Sequence, residues 1–169
     1  RRQRQMGIRD RYLAEHLPKD TPIVRVMPNI NAKIGASTTG ICHNDAVTAE
    51  QLAAVKAVFA TIGSVAEIPE NHFGIFSVIG GAAVAFHYMY MDALARAALK
   101  AGMPKKQALE IVAETVKGSA EMVLKSGEAP WLLVDQVCSP GGTTIEGVTT
   151  LQAKGFEAAA VAAFDAVLE

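Results

Sequence analysis

One stretch of this 169-residue chain gathers the residue types that chemistry needs at close spacing: Val137-Cys138-Ser139-Pro140-Gly141-Gly142-Thr143-Thr144-Ile145-Glu146-Gly147. Pro-Gly-Gly between two helical patterns predicts a tight loop whose glycines let a ligand approach the backbone. The loop runs directly into a helix start, where free amide N–H groups and the positive dipole end face whatever sits there. That arrangement suits an anion, either a carboxylate or a phosphate. Ser139, Thr143 and Thr144 add hydroxyls that can both donate and accept. The same pattern also serves a plainer purpose, with Thr143 capping a helix and the glycines turning the chain. The loop has no Lys, which excludes a Walker phosphate loop. No His or Asp adjoins Ser139, so a hydrolase triad has no local support. Glu146 lies two positions past Thr144, roughly 200° round the helix, and reads as an exposed first-turn carboxylate.

The elements that must position this loop are mostly helical. Ala101-Gly102-Met103-Pro104 stops one helix and starts another. The second runs to about Ser126, with Leu109, Val112, Val116, Ala120 and Val123 on one stripe and Gly127 as its cap. Pro130–Val137 predicts a short helix leading into the loop, which Trp131 would anchor by packing. Thr144–Lys154 and Phe156–Leu168 are the last two helices. Glu128, between Gly127 and the short helix, is placed to orient the loop by hydrogen bonding. Cys138 beside the loop reads as a small buried hydrophobe, since no base adjoins it.

Between Asn71 and Met91 there is no Asp, Glu, Lys or Arg. Such a helix is either a membrane span or a buried central helix. His72, Ser77, Gly80-Gly81 and His87 lie inside it, no basic cluster flanks it, and the neighbouring helices are amphipathic. We therefore read it as buried, with His87 in a core or an interface. Its alanines permit close approach of a partner helix.

Before Pro69 the pattern is α/β. Ile8–Leu17 is a short helix candidate. Ile23–Met27, Thr38–His43 and Ser64–Ile68 read as strands, and Thr48-Ala49-Glu50-Gln51 is a capping box before a helix that Gly63 stops. Three strands are too few to stand alone, so this part is the edge of a larger sheet.

The formal net charge of −1 gives no field to attract nucleic acid or an anionic membrane. The arginines near the start (Arg1, Arg2, Arg4, Arg9, Arg11) read as a solvated face or a junction. Two distant cysteines, Cys42 and Cys138, and four scattered histidines give neither a disulfide scaffold nor a metal site, so reduced thiols in a cytoplasm are expected. A chain that opens Arg-Arg-Gln-Arg-Gln, with no initiator Met and no signal pattern, reads as a piece of something longer.

The nonapeptide Ser139–Gly147, followed by Leu151 and Gly155-Phe156, resembles the signature of Δ1-pyrroline-5-carboxylate reductases. Val26-Met27-Pro28-Asn29, Ala101-Gly102-Met103-Pro104 and Ser126-Gly127-Glu128 fall in that family's order, and the resemblance covers roughly Met6 to Glu169. It implies NADPH- or NADH-dependent reduction of the cyclic imine 1-pyrroline-5-carboxylate to L-proline, the last step of proline biosynthesis. It implies a mostly α fold: an all-helical dimerisation domain, like the C-terminal part of 6-phosphogluconate dehydrogenase, over residues 70–169. Residues 1–69 would be the terminal α/β part of a Rossmann domain. Active sites would form at the interface of a homodimer joined through the long helices, with decamers known in some members. By the match, Ser139, Gly141, Gly142 and Thr143 hold the substrate carboxylate, Glu128 supports that site, and Thr144 hydrogen-bonds the ring nitrogen as the catalytic residue. Met27, Pro28 and Asn29 lie near the nicotinamide.

Two stretches depart from the family. The Gly-x-Gly-x-x-Gly fingerprint is absent, so this chain by itself is expected to bind the nucleotide poorly. Where the family usually has Ser-Gly-Ser-Gly-Pro-Ala-Tyr, this chain has Gly80-Gly81-Ala82-Ala83-Val84-Ala85-Phe86. Two other readings fit the residues: a related imine or hydroxyacid reductase of different substrate, and a non-catalytic helical oligomerisation module. A hydroxyacid enzyme would call for a Lys on the long helix, and none lies between Asn71 and Leu99.

Overall fold

A computed structural model describes residues 16–18 and 20–168. The Ile8–Leu17 helix candidate and the N-terminal arginines lie almost wholly outside the described residues. The described chain is mostly helical and separates into two compact units. One runs up to Val84 and takes in the C-terminal residues from Phe164; the other is Ala85–Ala163.

The first unit is built on three strands, β1 (Val24–Met27), β2 (Ser37–His43) and β3 (Gly63–Glu67), in the order β1-β2-β3. Pro22 and Pro28 bound β1, whose Val24 and Val26 favour extended backbone. β1 and β2 are antiparallel, with Met27 opposite Gly40 and Val24 opposite His43. A 3-10 turn, Ile30–Ile34, joins them and ends at Gly35 in the left-handed region (φ 71°). β3 runs parallel to β2, and the crossover between them is α1 (Ala49–Ala60). Thr48 opens α1 with a full capping box: its hydroxyl accepts from the Gln51 amide, and the Gln51 side chain accepts from the Thr48 amide. At the far end of the sheet Glu67 pairs with Lys56 and lies 3.4 Å from His43 Nε2. The Lys56 ammonium, more than His43, holds the Glu67 carboxyl below its ordinary value.

The apolar run after Pro69 does not fold as one regular helix. A 3-10 turn (Glu70–His72) and one turn of α-helix, α2 (Phe73–Phe76), lead into a π-helix, Ser77–Ala82, before α3 (Ala83–Lys100) begins. Periodicity predicts the helix but not the wide turn. The wide turn falls on Gly80-Gly81, where no Cβ fixes the backbone. Phe73, Phe76 and Val78 are buried with Ile41, Thr39 and Ser37 of β2. The Arg25 guanidinium lies 4.1 Å from the centre of the Phe73 ring. The Phe76 ring lies against two glycines: a Cβ built on Gly40 would come within 2.7 Å of it, and one on Gly80 within 2.5 Å. By length and composition Glu70–Lys100 is also apolar enough to cross a membrane.

In the second unit α3 continues through a turn at Ala101–Pro104 into α4 (Lys105–Ser126), and Gly127 (φ 67°) closes α4. Asp92 ties the two helices, pairing with Arg96 on its own helix and with Lys105 at 2.7 Å on the next. Lys105 and then Arg96 hold the Asp92 carboxyl below its ordinary value. Three more helices follow: α5 (Pro130–Val137), α6 (Thr143–Ala153) and α7 (Phe156–Leu168). Little of this unit is buried. Ala95 and Ala108 are its only buried hydrophobic residues among those described. Leu124 is 84% exposed and Met89 72%. Trp131, expected to anchor α5 by packing, is half exposed, and His87 is exposed as well. Among the described residues nothing covers these side chains.

Replacing Gly40 with alanine puts a methyl group into the Phe76 ring. Overpacking of this kind costs about 1–3 kcal/mol, which denaturant melting of the Gly40→Ala variant will show as a lower midpoint. An unchanged midpoint contradicts the packing described.

Candidate functional site

The loop between α5 and α6 is built by a short turn: the Gly142 amide donates to the Ser139 carbonyl at 3.0 Å. Gly141 takes up the left-handed conformation (φ 67°) that this turn needs, and a side chain there would be strained. Gly142, extended at φ −79° and ψ 162°, is the N-cap of α6. The helix therefore begins at Thr143, one residue earlier than periodicity suggests, and Thr143 is its first residue rather than its cap. No side chain caps this helix. Among the described residues the amides of Thr143, Thr144 and Ile145 donate to nothing outside the helix, and they are groups for which an α-helix has no internal partner.

The loop hydroxyls are equally uncommitted. Farther along α6, Thr149 and Thr150 bond back to the carbonyls of Ile145 and Glu146. Ser139, Thr143 and Thr144 have no such bond among the described residues, and all three are exposed. The Ser139 hydroxyl sits over the Cα of Gly142, 2.4 Å from where a Cβ would be. Glycine at 142 thus leaves that hydroxyl room beside the helix start. A concave run of amides and hydroxyls with no cation and no carboxylate of its own can hold one small anion. Glu146 stands in the first turn of α6, off this surface by its position.

Glu128 does not stand alone. Its Oε2 accepts from Gln136 Nε2 at 2.6 Å, and its amide donates to Ser126 Oγ. This pair bridges the two ends of α5, the helix that delivers the loop. Gln136 carries no signal in the sequence, because the eight-residue separation has meaning only once α5 is known to be a helix. Cys138 is partly exposed and makes no ion pair.

The second group of candidates lies in the other unit. Met27 ends β1, Pro28 is exposed, and Asn29 is half-buried as the N-cap of the 3-10 turn. Arg25 precedes Met27 on β1 and Lys33 lies in the turn that Asn29 caps, and the chain has no Gly-x-Gly-x-x-Gly loop. No group of three or more His, Cys, Asp or Glu that could hold a metal occurs among the described residues.

Gly141→Ala forces a Cβ into the left-handed region, at a cost of about 1–2 kcal/mol. Denaturant melts comparing this variant with Ser139→Ala, which adds no strain, will show the loss only in the former if the turn is as described.

Residues 70–169 match the family model described as pyrroline-5-carboxylate reductase dimerisation. The pyrroline-5-carboxylate reductase of Escherichia coli is 41% identical over 163 residues, which are 96% of this chain and 61% of that protein. The enzyme of Thermus thermophilus is 39% identical over 95% of this chain and 60% of its own length. Among solved structures, 1-pyrroline-5-carboxylate reductase from Streptococcus pyogenes superposes with a TM-score of 0.86 at 39% identity, covering 94% of this chain and 61% of that one. Plasmodium falciparum pyrroline carboxylate reductase with NADP bound gives 0.84 at 31% identity, covering 92% and 63%. The chain thus spans about three fifths of the length of the curated relatives it matches.

Proposed function

Because the chain belongs to the pyrroline-5-carboxylate reductase dimerisation family, we propose that its protein reduces 1-pyrroline-5-carboxylate to L-proline and that this chain carries the substrate half of the site. The observation that carries the reading is the uncapped start of α6, a preformed seat for one small carboxylate. In this reading residues 1–69 are the end of a nucleotide-binding domain and residues 70–169 the dimerisation and substrate domain.

The reaction adds a hydride to the imine carbon and a proton to the ring nitrogen. The hydride comes from NADPH or NADH when bound, with Met27, Pro28 and Asn29 at the nicotinamide end. Everything else falls to the chain's own groups. The amides of Thr143, Thr144 and Ile145, with the Ser139 and Thr143 hydroxyls, hold the carboxylate and so fix the imine carbon in place. Such fixing of two reactants accounts for a large share of most rate enhancements. Gly141 and Gly142 give the turn its shape, and the Glu128–Gln136 bond steadies α5 behind it. Thr144 directs its hydroxyl at the ring nitrogen. A threonine hydroxyl is far too weak an acid to give up its proton outright at pH 7, so Thr144 orients and relays a proton whose source is water.

A second copy of the chain completes the domain. α3 and α4 flank an apolar groove of about 380 Å³ lined by Tyr90, Leu94, Ile111, Val112, Val116 and Val123. The exposed apolar side chains extend to α4, which also carries Glu and Lys, and to α6, which carries Glu146. Lipid would strand those charges, whereas a partner protein leaves them in water. The protein is accordingly read as a cytoplasmic homo-oligomer with no membrane or nucleic-acid partner, built as a homodimer that can assemble further into a decamer.

Two outcomes test the reading. Imine-dependent oxidation of NADPH or NADH by the intact protein is expected. Thr144→Ala should lower kcat by about a hundredfold, the scale of a lost proton-handling group, with little change in KM. Full activity in that variant removes Thr144 from the mechanism. Light scattering should give at least twice the chain mass and distinguish a homodimer from a decamer. Ile111→Glu together with Val123→Glu should drive the mass toward one copy, and an unchanged mass places the interface elsewhere.

A further inference from the structure

The polar groups of Asn29 are engaged inside the protein. Its backbone N–H donates to Ser37 Oγ at 3.0 Å, its Oδ1 accepts from the Asn31 amide at 3.1 Å, and its Nδ2 donates to the Gly80 carbonyl at 2.8 Å. Ser37 is 1% exposed, and its hydroxyl lies 3.3 Å from that of Thr39, which is fully buried. A continuous polar path therefore leads from inside the sheet, through Asn29, to the π-helix. Hydrogen bonds in so dry a setting are strong, and a partner left unpaired is costly.

A second, independent contact joins the same parts. The Phe76 ring fits between Gly40 on β2 and Gly80 on the π-helix, with no room for a Cβ on either. That contact is apolar and non-directional. It sets the distance between the sheet and the π-helix but not the rotation of one against the other. The Asn29–Gly80 bond, which has a direction, sets the rotation. Gly81, next in line, has open space where its Cβ would be. π-turns are rare and frequent at functional sites, and this one is held from Asn29 at the end of β1.

We propose that Asn29 is a positioning residue: it locks the Gly80–Ala82 stretch of the π-helix to the end of β1, so that Met27, Pro28 and the glycines present one fixed wall to a ring-bearing nucleotide. Its effect on the reaction passes through Gly80 rather than through contact with the nucleotide. The catalytic consequence rests on the reductase reading above; the lock itself does not.

Two measurements separate them. In the chain itself, Asn29→Ala and Asn29→Asp both remove the donor to Gly80, and the second keeps an acceptor for Asn31. Hydrogen exchange across residues 77–84 should quicken by about tenfold in both, the scale of one lost hydrogen bond, while α4 keeps its rates. Unchanged exchange in the π-helix overturns the lock whatever the activity. In the intact protein, Asn29→Ala should lower kcat by up to about a hundredfold, as small misplacements do, with KM for the imine acid unchanged. Ser37, too buried to touch a nucleotide, gives the discriminating variant. Ser37→Ala should reproduce part of the kcat loss, and the double variant should be no worse than Asn29→Ala alone. A normal Ser37→Ala beside an Asn29→Ala that raises only the nucleotide KM makes Asn29 a contact residue and overturns the proposal. A wild-type protein without imine-dependent oxidation sinks the reductase reading, and the exchange measurement still decides the lock.

Discussion

Three backbone amides at the start of α6 have no partner among the described residues, and the candidate site follows from that. Helix starts are normally closed by a serine, threonine or aspartate one residue before the helix. Here the cap is Gly142, which has no side chain to offer, and the residue at the far side of the turn is Ser139, whose hydroxyl stays free. Glycine is itself an accepted cap, so the missing side-chain acceptor costs only about a few tenths of a kcal/mol. An anion that settles there supplies the missing acceptor and meets the favourable end of the dipole. In the reading proposed above, the ligand's carboxylate supplies that acceptor.

The helical unit repeats this incompleteness on a larger scale. Its helices are long and well formed, yet their apolar stripes are exposed, and only Ala95 and Ala108 are buried hydrophobics in it among the described residues. Helices this amphipathic draw their stability from packing rather than from propensity. Residues 70–169 match a dimerisation family, and in the reading proposed above a second copy covers the stripes. The first unit is different in kind. It has a small dry core around Ile41, Phe73 and Phe76, closed by a glycine on either face of one ring.

Much of this is legible in the sequence, and for identifiable reasons. The strands at Val24–Met27, Ser37–His43 and Gly63–Glu67 announce themselves by β-branched residues between Pro and Gly stops. The Thr48 capping box and the Gly127 stop are local chemistry, complete within four residues. α5 begins at a proline and α7 directly after a glycine. What sequence does not carry is register across distance. The Asn29–Gly80 bond joins residues 51 apart, and the Gly40–Phe76–Gly80 stack needs a sheet and a helix to meet. The π-turn escapes periodicity because one extra residue per turn is invisible where every side chain is apolar or absent. Thr143 reads as a cap because threonine so often is one; the glycine before it takes that position because the turn needs an extended residue there. The substrate loop itself is readable from residue types, since amides, hydroxyls and a helix start are all local.

The central claim is that the start of α6 recognises a carboxylate. The most direct test is a titration of the 15N-labelled protein with L-proline and, separately, with pyrrolidine, which has the ring but no carboxylate. The account predicts amide shifts at Thr143, Thr144 and Ile145 with proline and not with pyrrolidine. Equal shifts with both, or shifts confined to other residues, contradict it.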